Sequence, residues 1–381
     1  MSKVLVKQNI LSWALNRSGK SREELKKDFP KIQQWFEGSE QPTVKQLESF
    51  ANKTSTPFGF FFLDEPPNDI IPIPYFRSLR NGVPKSPSPE LIETIQTMQR
   101  RQSWLREYLI EEDFEKLAFV KSVSLNDDPV FIANKMKEQL GLAANWTSKL
   151  HNWEEALNLL SASIENTGTI VAVNGIVGNN THRKLQVDEF RGFVLVDDYA
   201  PLIFVNNSDS KAAQMFTLAH ELAHVFLGSS AAFDLREMQP ADEPSEQICN
   251  KAAAEFLVPH QELHKIWNSI KKSNNPPFQE IAKHFKVSEL VVARRTLDLG
   301  LTTKKEFFDF YNDYITKNKQ KPKQSGGDYY SSQSGRIGRK FAQIIDRAVG
   351  EGKLLYSEAY RLTGVYGSTY EKYMMLVRDS R

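Results

Sequence analysis

The chain has 381 residues, and its 40% hydrophobic, 11% aromatic and 25% charged residues give the balance of a globular protein with two or three domains. No apolar run reaches the roughly 20 residues of a membrane span, and the single cysteine, Cys249, cannot form an internal disulfide. These features argue against secreted and membrane proteins, and we expect a cytoplasmic one. The net charge of +2 is uneven, with +2 over residues 1–67, −6 over 68–317 and +6 over 318–381.

The first 65 residues predict three or four short helices. Ser21-Arg-Glu-Glu24 has the pattern of a capping box, and Gln41-Pro-Thr43 is typical of a turn that leads into a helix. Such a cluster indicates a helix-turn-helix bundle, to which we assign residues 1–65. Residues 66–115 are predicted to form a proline-rich linker, to about residue 89, and then a long amphipathic helix to about Glu115.

Residues 116–317 combine helical periodicity with short β-branched segments. The predicted strands are 168–173, 190–196 and 201–206, and the predicted helices are 129–140, 153–164, 212–227, 246–257, 278–285 and 288–299. Helices followed by strands and then helices indicate an α+β domain rather than a doubly wound sheet. A basic helical C-terminal module spans 318–381, with a polar hinge at 324–327 near its start and two or three helices between 335 and 376. This module could contact a polyanion, and the alternative is an ordinary solvated helical surface.

The clearest functional signal is the H-E-x-x-H motif of His220, Glu221 and His224 in an apolar predicted helix. Residues four apart lie on one helix face, so both imidazoles can bind one Zn²⁺ at ~2.0–2.1 Å. Glu221 then lies where it can remove a proton from a zinc-bound water that attacks a carbonyl. The alternative is that core hydrogen bonds satisfy both histidines. Without a metal or several such partners, burying two imidazoles beside a carboxylate costs free energy.

A catalytic zinc site needs a third protein ligand, and the next predicted helix supplies a candidate. We predict Glu246 as this ligand, because small alanines at 252–254 would let its helix pack closely on the first. Glu255 is the alternative ligand. Cys249 is interpreted as a packed core residue, since the ligand set is complete without it.

With these residues, the chain resembles the ImmA/IrrE family of metallopeptidases between about Gly168 and Pro259. The resemblance rests on V-D-E-F-R-G-F at 187–193, A-P-L-I-F-V-N at 200–206, the H-E-x-x-H helix, and E-x-x-x-N followed by F-L-x-P. Cys249 is a departure, because relatives usually have a small alanine there. The resemblance implies a zincin-like fold, a cytoplasmic location and cleavage of DNA-binding repressors.

The first 65 residues, called the head below, resemble the Xre-type helix-turn-helix domain, and the resemblance covers residues 35–43 and 57–67. The pattern is degenerate, because the interval before Trp35 is several residues too short for a full second helix, turn and recognition helix. Pro30 stands where the turn should begin. We therefore predict no sequence-specific DNA binding by this head, and docking or homodimerisation is its alternative role.

Together these features predict a zinc-dependent metalloendopeptidase that cleaves a DNA-binding transcriptional regulator of a stress-related or phage/mobile-element system. The alternative is a non-proteolytic DNA-binding regulator or antitoxin-like partner protein that uses the zincin domain as a scaffold. The intact Glu221 favours the enzyme, because a scaffold needs no general base. We further expect an extended substrate to pair with a free edge of the predicted strand 201–205.

Overall fold

The computed structural model describes residues 2–67, 87–229, 231–233, 243–270, 277–318 and 329–379. The described residues form two units, one reaching Pro67 and including 87–97, and the other beginning at Met98. Most of the predicted proline-rich linker and the predicted hinge at 324–327 lie outside the described residues. None of the helices in the described ranges has both the length and the apolar composition needed to cross a bilayer.

The first unit contains four short helices and a 3-10 turn, which confirms the predicted helical cluster. Their bounds are α1 Gln8–Ser18, α2 Arg22–Lys26, α3 Ile32–Glu37, α4 Val44–Lys53 and the 3-10 helix Phe58–Phe62. Both predicted caps form, because Ser21 and Thr43 each complete a capping box. Trp35, Phe50 and Phe61 are buried in its core. Helices α2 and α3 have only five and six residues.

The second unit is built around a four-stranded sheet with strand order β1-β5-β4-β6. Strand β1 runs parallel to β5, and the β5–β4 and β4–β6 pairs are antiparallel. Strands β2 and β3 form a separate antiparallel pair. The bounds are β1 Ile170–Asn174, β2 Ile176–Val177, β3 Asn180–Lys184, β4 Gly192–Leu195, β5 Leu202–Asn206 and β6 Ala231–Phe233. The three predicted strands are confirmed as β1, β4 and β5.

Helices surround this sheet. Their bounds are α5 Pro89–Glu111, which begins in the first unit, α6 Pro129–Leu140, α7 Trp153–Asn166, α8 Lys211–Leu227, α9 Pro244–Leu257, α10 His260–Ile270, α11 Phe278–Phe285, α12 Glu289–Asp298, α13 Lys304–Asn318, α14 Tyr329–Ile337, α15 Arg339–Gly350, α16 Tyr356–Thr363 and α17 Gly367–Asp379. The predicted helices 129–140 and 278–285 have the predicted bounds. Helix α5 ends four residues earlier than predicted, and Asp113 follows it with a left-handed φ of 57°. Three helices, α15 to α17, occupy most of 335–376, as predicted, and α14 begins before that stretch and ends within it.

Helix α8 packs on one face of the sheet through a shared apolar core. Val194 and Ile203 of the sheet belong to the same buried cluster as Leu218 and Leu222 of α8. Gly192 allows the closest approach, because a Cβ there would lie 2.5 Å from Thr217 Cγ2 on α8 and 2.8 Å from the Phe204 carbonyl oxygen. The absence of a side chain at Gly192 therefore lets β4 pack closely on α8 one turn before Glu221.

The expectation that strand 201–205 has a free edge is wrong. Strand β5 lies inside the sheet and pairs on one side with β1 and on the other with β4. Its main-chain groups are used on both sides, so no extended peptide can add there. The sheet order explains why the expectation failed. β4 pairs with one edge of β5 and β1, which comes earlier in the chain, pairs with the other, and local sequence patterns do not reveal this order.

The C-terminal helices cover the edge strand β1. A Cβ on Gly338, between α14 and α15, would lie 2.8 Å from the Val171 carbonyl oxygen, and its φ of +87° is one that favours glycine. The buried guanidinium of Arg101 donates to the carbonyl oxygens of Leu362 and Arg336. Glu165 of α7 accepts the backbone N–H of Lys340. These contacts join the C-terminal helices to α5, α7 and β1.

Candidate metal centre

Helix α8 carries the H-E-x-x-H motif and is well defined at both ends. Ser210 caps its N-terminus by accepting the backbone N–H of Ala213, and Gly228 ends it with a left-handed φ of 84°. His220 and His224 lie one turn apart within this helix, Glu221 directly follows His220, and all three residues are fully buried. The apolar sequence around the motif explains this burial, because most of the helix contacts the sheet or another helix.

Helix α9 brings a carboxylate to the two histidines. Pro244 starts this helix and places Glu246 in its first turn, while Ala252 and Ala253 are fully buried and permit close helix packing. Glu246 Oε2 lies 3.2 Å from His220 Nε2, and Glu246 Oε1 lies 3.0 Å from His224 Nε2. The structure thus brings together the three residues predicted as ligands.

The donor atoms of this cluster have the spacing of metal ligands. The two Nε2 atoms are 3.0 Å apart, and each lies 3.0–3.2 Å from a Glu246 oxygen. Ligands at ~2.0–2.1 Å from a tetrahedral ion are about 3.3–3.4 Å apart, close to these distances. Among the described residues, this is the one cluster of three or more such groups placed to hold a metal ion. The residues therefore fit a bound cation.

The electrostatics give the protonation states that ligands require. Burial lowers the pKa of His220 to about 4, although Glu246 opposes the shift. Burial acts to raise the pKa of Glu246, but hydrogen bonds with His220 and His224 outweigh it and lower that pKa. At neutral pH His220 is thus a neutral imidazole and Glu246 a carboxylate, the forms that bind a metal ion.

Glu221 is the second buried carboxylate of the centre and differs from Glu246. Neither of its oxygens has a hydrogen-bond partner among the described residues. Burial, together with the nearby negative charge of Glu246, raises its pKa well above the usual range. A cation bound by the three ligands would oppose this shift. Strand β4 lies beside the carboxylate, since a Cβ on Gly192 would be 3.2 Å from Glu221 Oε1.

Each histidine also has a polar contact outside the cluster. His224 Nδ1 lies 2.8 Å from Ser229 Oγ, just beyond the end of α8. The Asn250 side chain, one turn after Glu246 on α9, interacts with His220 and raises its pKa against the larger effect of burial. The sequence interpretation missed Ser229. The sequence feature that could have identified Ser229 is its position, because it directly follows Gly228, the glycine that ends the H-E-x-x-H helix.

Glu255, the alternative ligand, lies in a different cluster. Its carboxylate is buried and pairs with the Arg295 guanidinium of α12. Its Oε1 also contacts His260 Nδ1 at 2.8 Å. Glu255 is therefore not part of the cluster that is placed to hold a metal ion. Cys249 is buried in the core, as interpreted from the sequence.

Two parts of the chain match known families. Residues 181–297 match Peptidase_M78, the IrrE N-terminal-like domain, and residues 337–375 match DUF8813, a domain of unknown function. The first match includes all the cluster residues and Glu221, and it supports the ImmA/IrrE family and a metallopeptidase. No curated protein matches the chain. The helix-turn-helix interpretation of the head stays a prediction.

Proposed function

We propose that the chain is a zinc-dependent endopeptidase that cleaves a DNA-binding transcriptional regulator. The observation that carries the proposal is the buried cluster of His220, His224 and Glu246 beside Glu221. Within the part of the chain that the structure describes, the carboxylate oxygens of Glu221 have no hydrogen-bond partner. The family match over residues 181–297 supports peptidase activity independently of this geometry.

Zinc is the metal that this donor set favours. Two imidazole nitrogens and one carboxylate are the ligands of several zinc peptidases, whereas Mg²⁺ and Ca²⁺ prefer oxygen ligands alone. Three protein ligands leave one coordination position for substrate or water, which distinguishes a catalytic site from a closed structural one. When bound, the ion would acidify a water molecule and polarise a peptide carbonyl.

The chain's own groups then have separate tasks. His220, His224 and Glu246 hold the ion, and their burial keeps bulk water from competing with them. Glu221 acts as the general base, because it is the one carboxylate of the centre whose oxygens are not used in a pair. It takes a proton from the attacking water and gives it to the leaving amine, so its oxygens must stay free of other hydrogen bonds.

A protein substrate follows from the peptidase family, and the class of substrate is our proposal. The resemblance to ImmA/IrrE proteins indicates DNA-binding repressors. The excess of acidic residues over residues 68–317 supports it, because a charge of −6 attracts a basic partner. Since β5 has no free edge, main-chain pairing with that strand does not contribute to substrate binding.

The test uses the full chain with zinc and a helix-turn-helix regulator encoded by a neighbouring gene. We expect wild type to cut the regulator at one or two positions, and Glu221→Gln to keep its zinc and cut at least 100-fold more slowly. Glu154→Gln, an exposed carboxylate on α7, is the matched control and should cut like wild type.

Other outcomes would contradict the proposal. Equal rates for wild type and Glu221→Gln would show that Glu221 is not the base. Binding of the regulator without any cleavage, by wild type and variant alike, would favour the scaffold alternative. Rapid cleavage of unfolded casein would indicate a general peptidase without a dedicated substrate.

A further inference from the structure

The turn after α8 returns the chain to the second histidine of the motif. Gly228 has a left-handed φ, and its N–H donates to the His224 carbonyl oxygen at 2.8 Å. The next N–H, of Ser229, donates to the same carbonyl oxygen at 3.2 Å. These two hydrogen bonds hold Ser229 next to His224. The Oγ of Ser229 lies 2.8 Å from Nδ1 of His224.

Asn250 holds the corresponding place at the first histidine. It lies four residues after Glu246, so the ligand and the amide are on the same face of α9. Its side chain interacts with that of His220 through a hydrogen bond. Asn250 Oδ1 is buried and makes no fully aligned hydrogen bond with another described residue.

The ring nitrogens that face these two residues decide whether the histidines can bind a metal. A neutral imidazole has one N–H and one lone pair, and a ligand needs its lone pair on the nitrogen that faces the ion. Both Nε2 atoms face Glu246 and each other. The proton must then be on Nδ1, where an oxygen acceptor favours it.

We propose that Ser229 and Asn250 are positioning residues that hold His224 and His220 in the metal-binding tautomer and orientation. Each accepts an Nδ1–H and leaves the Nε2 lone pair directed to the ion. The inference rests on the proposed metal site but assigns the two residues no part in the chemistry. Ser229 is joined to its histidine by backbone and side chain alike, and therefore fixes the ring more rigidly than Asn250.

The test is zinc affinity of the full chain, measured by competition with a chromophoric chelator. We expect Ser229→Ala and Asn250→Ala each to weaken zinc binding about 10–100-fold, the usual effect of losing an outer-shell partner. Ser229→Thr and Asn250→Asp keep the acceptor oxygen and should bind zinc within about threefold of wild type. With Co²⁺ as probe, the alanine variants should show altered visible absorption bands, and the conservative variants should retain the wild-type spectrum.

Controls separate a positioning role from a loss of structure. Ser269→Ala on α10 and Lys251→Ala on α9 change a hydroxyl and a side chain next to Asn250 without changing either acceptor, and both should bind zinc normally. Thermal unfolding of the metal-free variants checks the fold. If an alanine variant unfolds early, Ser229→Cys and Asn250→Leu test the same contacts with side chains of similar size.

The outcomes distinguish this inference from the proposed function. If wild type binds zinc and both alanine variants bind it equally well with an unchanged Co²⁺ spectrum, the positioning role is wrong and the metal site stands. If wild type takes up no zinc, the proposed function fails and this inference fails with it.

Discussion

The two ends of helix α9 each bury one glutamate, and the neighbouring residues give them different roles. Glu246, in the first turn, faces the imidazoles of His220 and His224. Glu255, in the last turn, faces the guanidinium of Arg295. A buried carboxylate needs a positive partner or a proton. The chain supplies a permanent cation to Glu255, whereas Glu246 faces two imidazoles, and under the proposed function a metal ion would balance its charge.

A third buried glutamate shows another solution to the same problem. Glu165 of α7 lies at the start of α15, where its carboxylate accepts the Lys340 backbone N–H. Burial raises the pKa of Glu165 to about 7, although the backbone hydrogen bonds oppose the shift. Its charge is therefore partly balanced by a proton near neutral pH. Arginine and a proton are thus the partners of Glu255 and Glu165, and a metal ion is the partner that we propose for Glu246.

The largest effect that would test this comparison is on metal affinity. Glu246→Ala removes one of three ligands, and if these share a binding free energy on the order of 10–16 kcal/mol, zinc affinity should fall more than about a thousandfold. Competition with a chelator measures this. Glu255→Ala is the matched control on the same helix and should leave affinity within a few-fold of wild type. If the two results were reversed, the assignment of Glu255 as the non-ligand would be wrong.

The next effect is on stability, at the other end of α9. Glu255→Ala leaves the Arg295 guanidinium buried without its carboxylate, and breaking such a pair costs about 3–5 kcal/mol. Denaturant unfolding of the metal-free protein should show this loss in the free energy of unfolding. Glu246→Ala should not show a comparable loss, because it leaves no uncompensated arginine.

A double replacement sharpens this point. Glu255→Leu together with Arg295→Met removes both charges, and apolar replacement of a buried pair is often close to neutral. We therefore expect the double variant to recover most of the stability that Glu255→Ala loses. A double variant as unstable as the single one would mean that Glu255 acts mainly through His260 at the start of α10.

The smallest effect is the pH dependence due to Glu165. Its pKa is raised on folding from about 4.5 to about 7. The neutral form thus stabilises the fold fully below about pH 4.5, and this contribution is lost as the pH rises to 7. Glu165→Gln should flatten the fall in metal-free melting temperature between pH 5 and pH 8, by an amount worth roughly 2–3 kcal/mol. Parallel profiles for wild type and variant would contradict this, and Glu154→Gln is the exposed control.

Much of the fold was readable from local pattern. The capping residues Ser21 and Thr43 and the period-four histidines are short-range signals, and the structure reproduces the helices that they predict. Helices α10 and α13 and the strands β2, β3 and β6 were not predicted. The β2–β3 pair is polar and short, and β3 has no buried residue, so no apolar alternation marks it.

The site was readable in part for a similar reason. His220, Glu221 and His224 are related by helix spacing alone, whereas the choice between Glu246 and Glu255 depends on how α9 packs. Arg295, which pairs with Glu255, is 40 residues further along the chain. No local pattern connects the two. The position of β5 inside the sheet is likewise a long-range property, and the expected free edge was wrong for that reason.

The contact of α14 and Gly338 with β1 has a consequence for the smallest fragment that can fold. Residues 181–297 contain the metal-binding groups but neither β1 nor the helices at its edge. A fragment with these limits would lack β1, the outer strand of the sheet. The main-chain N–H and C=O groups of β5 would then be exposed and could pair with another molecule, which favours aggregation. We therefore expect that the second unit, from Met98 to Asp379, must be expressed as one piece to fold, with the region of unknown function as part of that fold.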